Sequence, residues 1–227
     1  MNMPFYVAPE QVMKDRADYA RKGIARGRAL IALRFVDGIL IVAENASNTL
    51  RKVSEIYDRI AFAGVGKYNE FDQLRIAGIR HADLKGYSYS RDDVDARSLA
   101  NQYAQILGQV FTHELKPMEV EILVAEIPHD GDDSPQMFHL LYDGTVNDES
   151  DFAVLGGEAE AIHDRFAASY RPDLTLAEGV AAATAALAGD ERTLTPDDLE
   201  VAELAPHNGR RSFRRIEGDE LAAMLGS

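Results

Sequence analysis

The sequence predicts an α+β fold: two stacked antiparallel sheets, each covered outside by a helix pair, forming a four-layer αββα sandwich with an added N-terminal helix. Three observations carry this. Strands follow one another through tight turns, which favours antiparallel pairing over a doubly wound sheet. The hairpin 29–43 is apolar almost without break, so its strands need burial on both faces. The clearest helices come in pairs, each with one apolar stripe, as covering layers do.

Each element follows from its local pattern. Met13, Ala17, Ala20 and Ile24 recur at helical spacing across Glu10 to Ala25; Pro9 suits the first turn, and Gly27 ends the helix. Strands at Ala29 to Phe35 and Ile39 to Ala43 flank Asp37-Gly38, a strong hairpin signal. Asn45 to Asn48 reads as a turn, followed by strands at Val53 to Tyr57 and Ile60 to Gly64. Lys67 to Gly86 is a helix with Phe71, Leu74, Gly78 and Ala82 on one side, and Tyr87 to Asp95 is a polar loop. Ala96 to His113 is a helix capped by Asp95, with a broad stripe from Leu99 to Phe111.

In the second half, Glu119 to Ile127 alternates as a strand and His129 to Pro135 is an acidic loop. Met137 to Tyr142 and Phe152 to Leu155 are strands separated by the Asp143-Gly144 turn. Gly156-Gly157 opens a helix carrying Ile162, Phe166 and Tyr170. Thr175 and Glu178 form a capping box ahead of Leu176, Val180, Thr184 and Leu187. Strands at Leu199 to Leu204 and Ser212 to Ile216 precede a short helix, Asp219 to Leu225. No linker divides the chain, so residues 10–227 are expected to form one domain after a flexible segment, 1–9.

The net charge is −14, which argues against nucleic acid as the main partner. The charge is uneven: residues 1–34 carry seven Lys/Arg against three Asp/Glu, a basic surface suited to acidic groups on a partner. There is no cysteine, hence no disulfide, no cysteine-bound zinc and no thiol catalysis. No apolar run has the length of a membrane span, and the N-terminus lacks the pattern of a signal peptide. A cytoplasmic protein is expected.

Candidate chemistry is sparse. Gly64-Val-Gly66-Lys67 sits between a strand and a helix, but Ala61 stands where a phosphate loop needs glycine and Tyr68 where it needs Ser or Thr. It reads as a tight turn. The histidines at 81, 113, 129, 139, 163 and 207 have no metal spacing. Asp130, Asp132 and Asp133 read as a solvated acidic loop rather than a calcium site. No metal or cofactor is expected. A terminal Thr or Ser acting through its own amine would have to begin the first strand, and that strand begins Arg28-Ala29.

The hairpin RALIALRFVDGILIVAEN and the following LRKVSEIYDRIAFAGVGKYNEFDQLR resemble the proteasome core-particle family. The leading PEQVMKDRADYARKGIARG is similar to the N-terminal helix of its α-type subunits in their actinobacterial form. The likeness runs from about Pro4 to Leu225. It implies the sandwich of the Ntn-hydrolase superfamily, and it places Arg28 where catalytic β-type subunits carry their threonine nucleophile. The chain is therefore expected to be non-catalytic within a threonine-type protease complex. A stand-alone Ntn-type amidohydrolase is the alternative, disfavoured by the missing nucleophile.

The resemblance further implies heptameric α rings stacked on catalytic β rings. The N-terminal segment, Met1, Asn2, Met3, Pro4, Phe5, Tyr6, Val7 and Ala8, would gate substrate entry at the pore. Lys52 would pair with the terminal carboxylate of tails from a ring-shaped ATPase, with Arg26, Gly27 and Gly66 close by. The expected partners are other α subunits, β subunits, that ATPase and protein substrates, including those tagged with a ubiquitin-like modifier.

Overall fold

The computed structural model describes residues 8–47, 49–128, 134–209 and 211–226. Six helices and ten strands are defined among them. In chain order they are α1 (Pro9–Ile24), β1 (Leu30–Phe35), β2 (Gly38–Glu44), β3 (Val53–Tyr57), β4 (Ile60–Gly66), α2 (Tyr68–Ser88), α3 (Ala96–His113) and β5 (Val120–Glu126). There follow β6 (Gln136–Leu140), β7 (Val146–Glu149), β8 (Phe152–Leu155), α4 (Ala159–Ala167), α5 (Leu176–Ala188), β9 (Leu199–Leu204), β10 (Phe213–Ile216) and α6 (Gly218–Met224).

Two five-stranded sheets result, ordered β10-β9-β2-β1-β8 and β3-β4-β5-β6-β7, with every neighbouring pair antiparallel. The apolar hairpin β1–β2 lies inside its sheet, between β9 and β8, which is why both of its faces are apolar. Alternate residues go to opposite layers, as the pleat requires. Leu30, Ala32, Ile39 and Ile41 meet Ala61, Ala63, Leu123 and Ala125 between the sheets. Ile31, Leu33, Leu40 and Val42 face outward onto Phe166 of α4 and Val180 and Leu187 of α5. On the other side, Phe62, Ile122 and Val124 pack under Phe71 and Leu74 of α2 and Leu99 and Tyr103 of α3. The four layers are those expected, with α1 outside them.

Local chemistry sets the helix ends. Asp95 accepts the backbone N–H of Ser98 at 2.7 Å, and Thr175 and Glu178 complete their reciprocal cap. The C-terminus of α3 is closed from outside. The Arg16 guanidinium donates to the carbonyls of Phe111 (2.7 Å), Val110 (3.1 Å) and Glu114 (2.5 Å), which satisfies orphan acceptors and places a cation at the negative end of the helix. This contact, with buried Ala20 and Ile24, fixes α1 to the sandwich. Met13, placed by the periodicity on the apolar stripe, is 38% exposed, so only the later part of that stripe is covered.

Three expectations need correction. The strand β7 carries no apolar alternation, reading Val-Asn-Asp-Glu with its first three residues exposed. It exists because β6 offers a pairing edge, and its polar character suits a sheet edge. The helix α2 continues through Tyr87 and Ser88, and the polar stretch after it holds a 3₁₀ turn at Arg91–Asp93 capped by Ser90. The α3 stripe centres on Leu99, Tyr103 and Leu107, with Ile106 and Val110 only half-buried. Residues 129–133 of the expected acidic loop, including Asp130, Asp132 and Asp133, and Asn48 of the expected turn lie outside the described residues.

Candidate functional site

Lys52 immediately precedes β3 in one sheet, yet the partners of its backbone N–H and of its side chain lie on the other. Its backbone N–H donates to Glu200 Oε2 at 2.8 Å, and its carbonyl accepts from the Gly64 N–H at 3.0 Å. The side chain reaches across, and Nζ donates to the carbonyls of Arg28 (2.7 Å) and Glu44 (2.9 Å). The ammonium is thus held by two backbone dipoles at the mouth between the sheets. Among the described residues no carboxylate lies within ion-pair distance of it, and its third N–H has no partner.

Burial lowers the Lys52 pKa to about 8; the charges of Glu44 and Glu200 pull it back up, and Arg28 pushes it further down. A carboxylate arriving at Nζ would supply the missing counter-charge and favour the ammonium.

Glu200 is the second half of this arrangement. Its side chain, on β9, is 2% exposed. It accepts from the N–H groups of Lys52 and Val53 (3.2 Å), from Asn45 Nδ2 (2.9 Å) and from Arg215 Nη1 (2.7 Å). Arg215 in turn donates to the Val53 carbonyl at 2.5 Å. A buried carboxylate with four donors ties β9 and β10 to β3 and fixes the backbone from which Lys52 springs.

The other expected residues cluster around the same corner. Arg26 is exposed on the turn between α1 and β1, and Gly27 N–H closes that turn on the Ile24 carbonyl at 2.9 Å. Gly27 and Gly66 pack backbone to backbone: a Cβ on Gly27 would lie 3.3 Å from Gly66 N. Gly66 has φ +95°, and a Cβ there would strike the Glu119 carbonyl, so the end of β4 requires glycine. Lys67 pairs with Glu70 and Glu119, so the Gly64–Lys67 stretch is the tight strand-to-helix turn anticipated. Met1 to Val7 lie outside the described residues; Ala8 is exposed, and its carbonyl accepts the first N–H groups of α1.

Sequence reasoning missed the residues that hold Lys52: the carbonyls of Arg28 and Glu44 and the carboxylate of Glu200. One signal was available. Glu200 and Glu203 interrupt an otherwise apolar strand, and a carboxylate at such a position demands buried donors. At the head of β1, Arg28 and Ala29 offer no hydroxyl or thiol. Among the described residues no group of His, Asp or Glu is arranged to hold a metal, and no helix is long and apolar enough to cross a membrane.

A two-sheet sandwich between helix layers, with an extra helix running into a first strand that bears no nucleophile, is the architecture the resemblance to α-type subunits implies. Residues 24–204 match the family model described as "Proteasome subunit", and the chain belongs to that family. It is 65% identical to "Proteasome subunit alpha" of Acidimicrobium ferrooxidans, covering 100% of this chain and 97% of the relative. Identity is 55% to that of Sanguibacter keddieii (100% and 91%) and 53% to that of Kineococcus radiotolerans (99% and 98%). The family and α type drawn from the sequence are thereby met, and the chain is of the non-catalytic type.

Proposed function

We propose that this chain forms the heptameric outer rings of a cytoplasmic proteasome core particle, gates entry with Met1 to Ala8, and docks the C-terminal tails of an ATPase ring at Lys52. Hydrolysis then belongs to the β subunits it stacks on, and the substrates are proteins delivered by the ATPase, including those carrying a ubiquitin-like tag. The observation that carries the docking reading is the Lys52 ammonium, anchored by two carbonyls with no carboxylate of the described residues within ion-pair distance. Arg26 and Gly27 lead into Arg28, and Gly27 packs on Gly66, where a Cβ would strike the Glu119 carbonyl. The helix α1 begins at Pro9, so the last residue of the segment 1–9 belongs to the helix and the gate is proposed to comprise Met1 to Ala8.

The test is Lys52→Ala in the reconstituted core. ATPase-stimulated protein degradation should fall, while small-peptide cleavage by a core lacking the gate segment should be unchanged. Equal stimulation of mutant and wild type would remove Lys52 from the docking role.

A further inference from the structure

Beside Lys52, and sharing Arg26 and Gly27 with the proposed docking corner, a cleft of about 410 Å³ opens in front of β1. Arg26, Arg28, Arg165 and Arg192 line it, against the carboxylates of Glu44 and Glu158. One of these carboxylates is already engaged: Glu44 takes Arg28 at 3.0 Å and Arg192 at 2.8 and 3.2 Å. Arg165 is anchored differently. Its Nε donates to the Ala186 carbonyl at 2.9 Å at the end of α5, and Arg192 donates to the next carbonyl, Leu187, at 2.7 Å. The two guanidiniums are therefore held near one another by consecutive acceptors.

Capping the end of α5 explains Arg165 Nε and one nitrogen of Arg192, but not the rest. The two terminal nitrogens of Arg165 and the whole Arg26 guanidinium have no partner among the described residues. The opposite wall is the start of α4, where Glu158 at the N-cap makes no side-chain cap bond. Several planar guanidinium forks converge on one cavity and favour a multivalent oxyanion, against the opposing charges of Glu158 and of Glu160 in the first turn of α4.

We propose that this cleft binds a small phosphate-class polyanion of about pyrophosphate size. The residues lining the cleft come from three segments of this chain, 25–29 with Glu44, 157–165 and 187–192. Its ligand would engage Arg26 and Arg165 and compete with Glu44 for Arg28. Because the backbones of Arg28 and Glu44 hold the Lys52 ammonium, the cleft and the docking corner share a wall, but the binding claim does not depend on docking.

Isothermal titration of the full-length chain with sodium pyrophosphate tests it. One site per chain is expected, weakening as salt rises. Arg26→Gln and Arg165→Gln should each lower affinity by on the order of tenfold, while Lys52→Ala should leave it unchanged. Arg26 is exposed on a turn, so Arg26→Gln decides the matter even where Arg165→Gln fails to fold. Heat no different from sodium chloride at equal ionic strength, or affinity unaltered in Arg26→Gln, would overturn the proposal. So would a triglutamate peptide binding more tightly than pyrophosphate, since that would make the cleft a peptide site.

Discussion

The Lys52 ammonium lies 2.7 Å from the carbonyl oxygen of Arg28, the residue just ahead of the first strand. A lysine at the start of one sheet thus clasps the entry to the other. The same contact that orders the corner also removes the lysine from water, and this makes Lys52 titrate unusually low.

Reductive methylation with a ¹³C label should reveal one lysine with a midpoint near 8, absent in Lys52→Arg. A peptide ending in a free carboxylate that docks there should move the midpoint upward, because an opposite charge favours the ammonium. A midpoint at the ordinary lysine value of about 10.4 would show that the ammonium is not buried as described.

Glu200→Ala should destabilise the chain strongly. It strands the buried N–H groups of Lys52 and Val53 and the Arg215 guanidinium. Removing one partner from a buried charged cluster typically costs about 3–5 kcal/mol, read as a shift in the urea midpoint. A loss below about 1 kcal/mol would show that water replaces the carboxylate and that the clip is superficial.

Arg16→Ala should loosen α1 without unfolding the sandwich. Three carbonyls at the end of α3 lose their donor, for a cost of about 1–3 kcal/mol. Amide exchange should rise in α1 and in the last turn of α3, and stay unchanged in β1 and β2. Uniform exchange across the whole chain would mean that α1 is integral to the core rather than clamped on.

His139 sets a pH dependence. Burial lowers its pKa, but Glu121 at 3.5 Å and Glu149 at 3.7 Å outweigh that and raise it to about 9. These separations are those of ion pairs and the buried Nε2 has no hydrogen-bond partner, so the two charges dominate. The folded pKa exceeds the unfolded value of about 6.5, so the folded state binds the extra proton. The stabilisation is fully present below about pH 6.5 and is lost as pH rises toward 9. Thermal melts of wild type should decline over that window by on the order of 1–3 kcal/mol relative to His139→Gln. Parallel curves would remove the histidine from the account.

Deleting Asn2 to Ala8 should speed small-peptide hydrolysis by the reconstituted core, since an open pore removes a barrier to entry. Unchanged rates would refute the gate reading.

Much of the framework was legible because it rests on short-range rules. The strand Leu199–Leu204 and the helix Ala96–His113 have the bounds read from their patterns, and the caps at Asp95 and Thr175 are local chemistry. The edge strand β7 was not legible, because pairing with β6 creates it and no pattern in its own residues does. The candidate site was not legible in local pattern. Lys52, Arg26, Gly27 and Gly66 came from resemblance alone, and no spacing along the chain links them.

By itself, the sequence determined the two-sheet sandwich and the helix ahead of a first strand without a nucleophile, since periodicity and turn chemistry act over a few residues and leave a readable trace; the family came from likeness to known proteins. Only the tertiary structure decided which groups meet. The Glu200 carboxylate reaches the N–H groups of Lys52 and Val53 across nearly 150 positions, and four arginines from distant segments share one cleft. Such meetings depend on how the layers stack, and a buried charge finds its partners only when that stacking has brought the donors within hydrogen-bond distance.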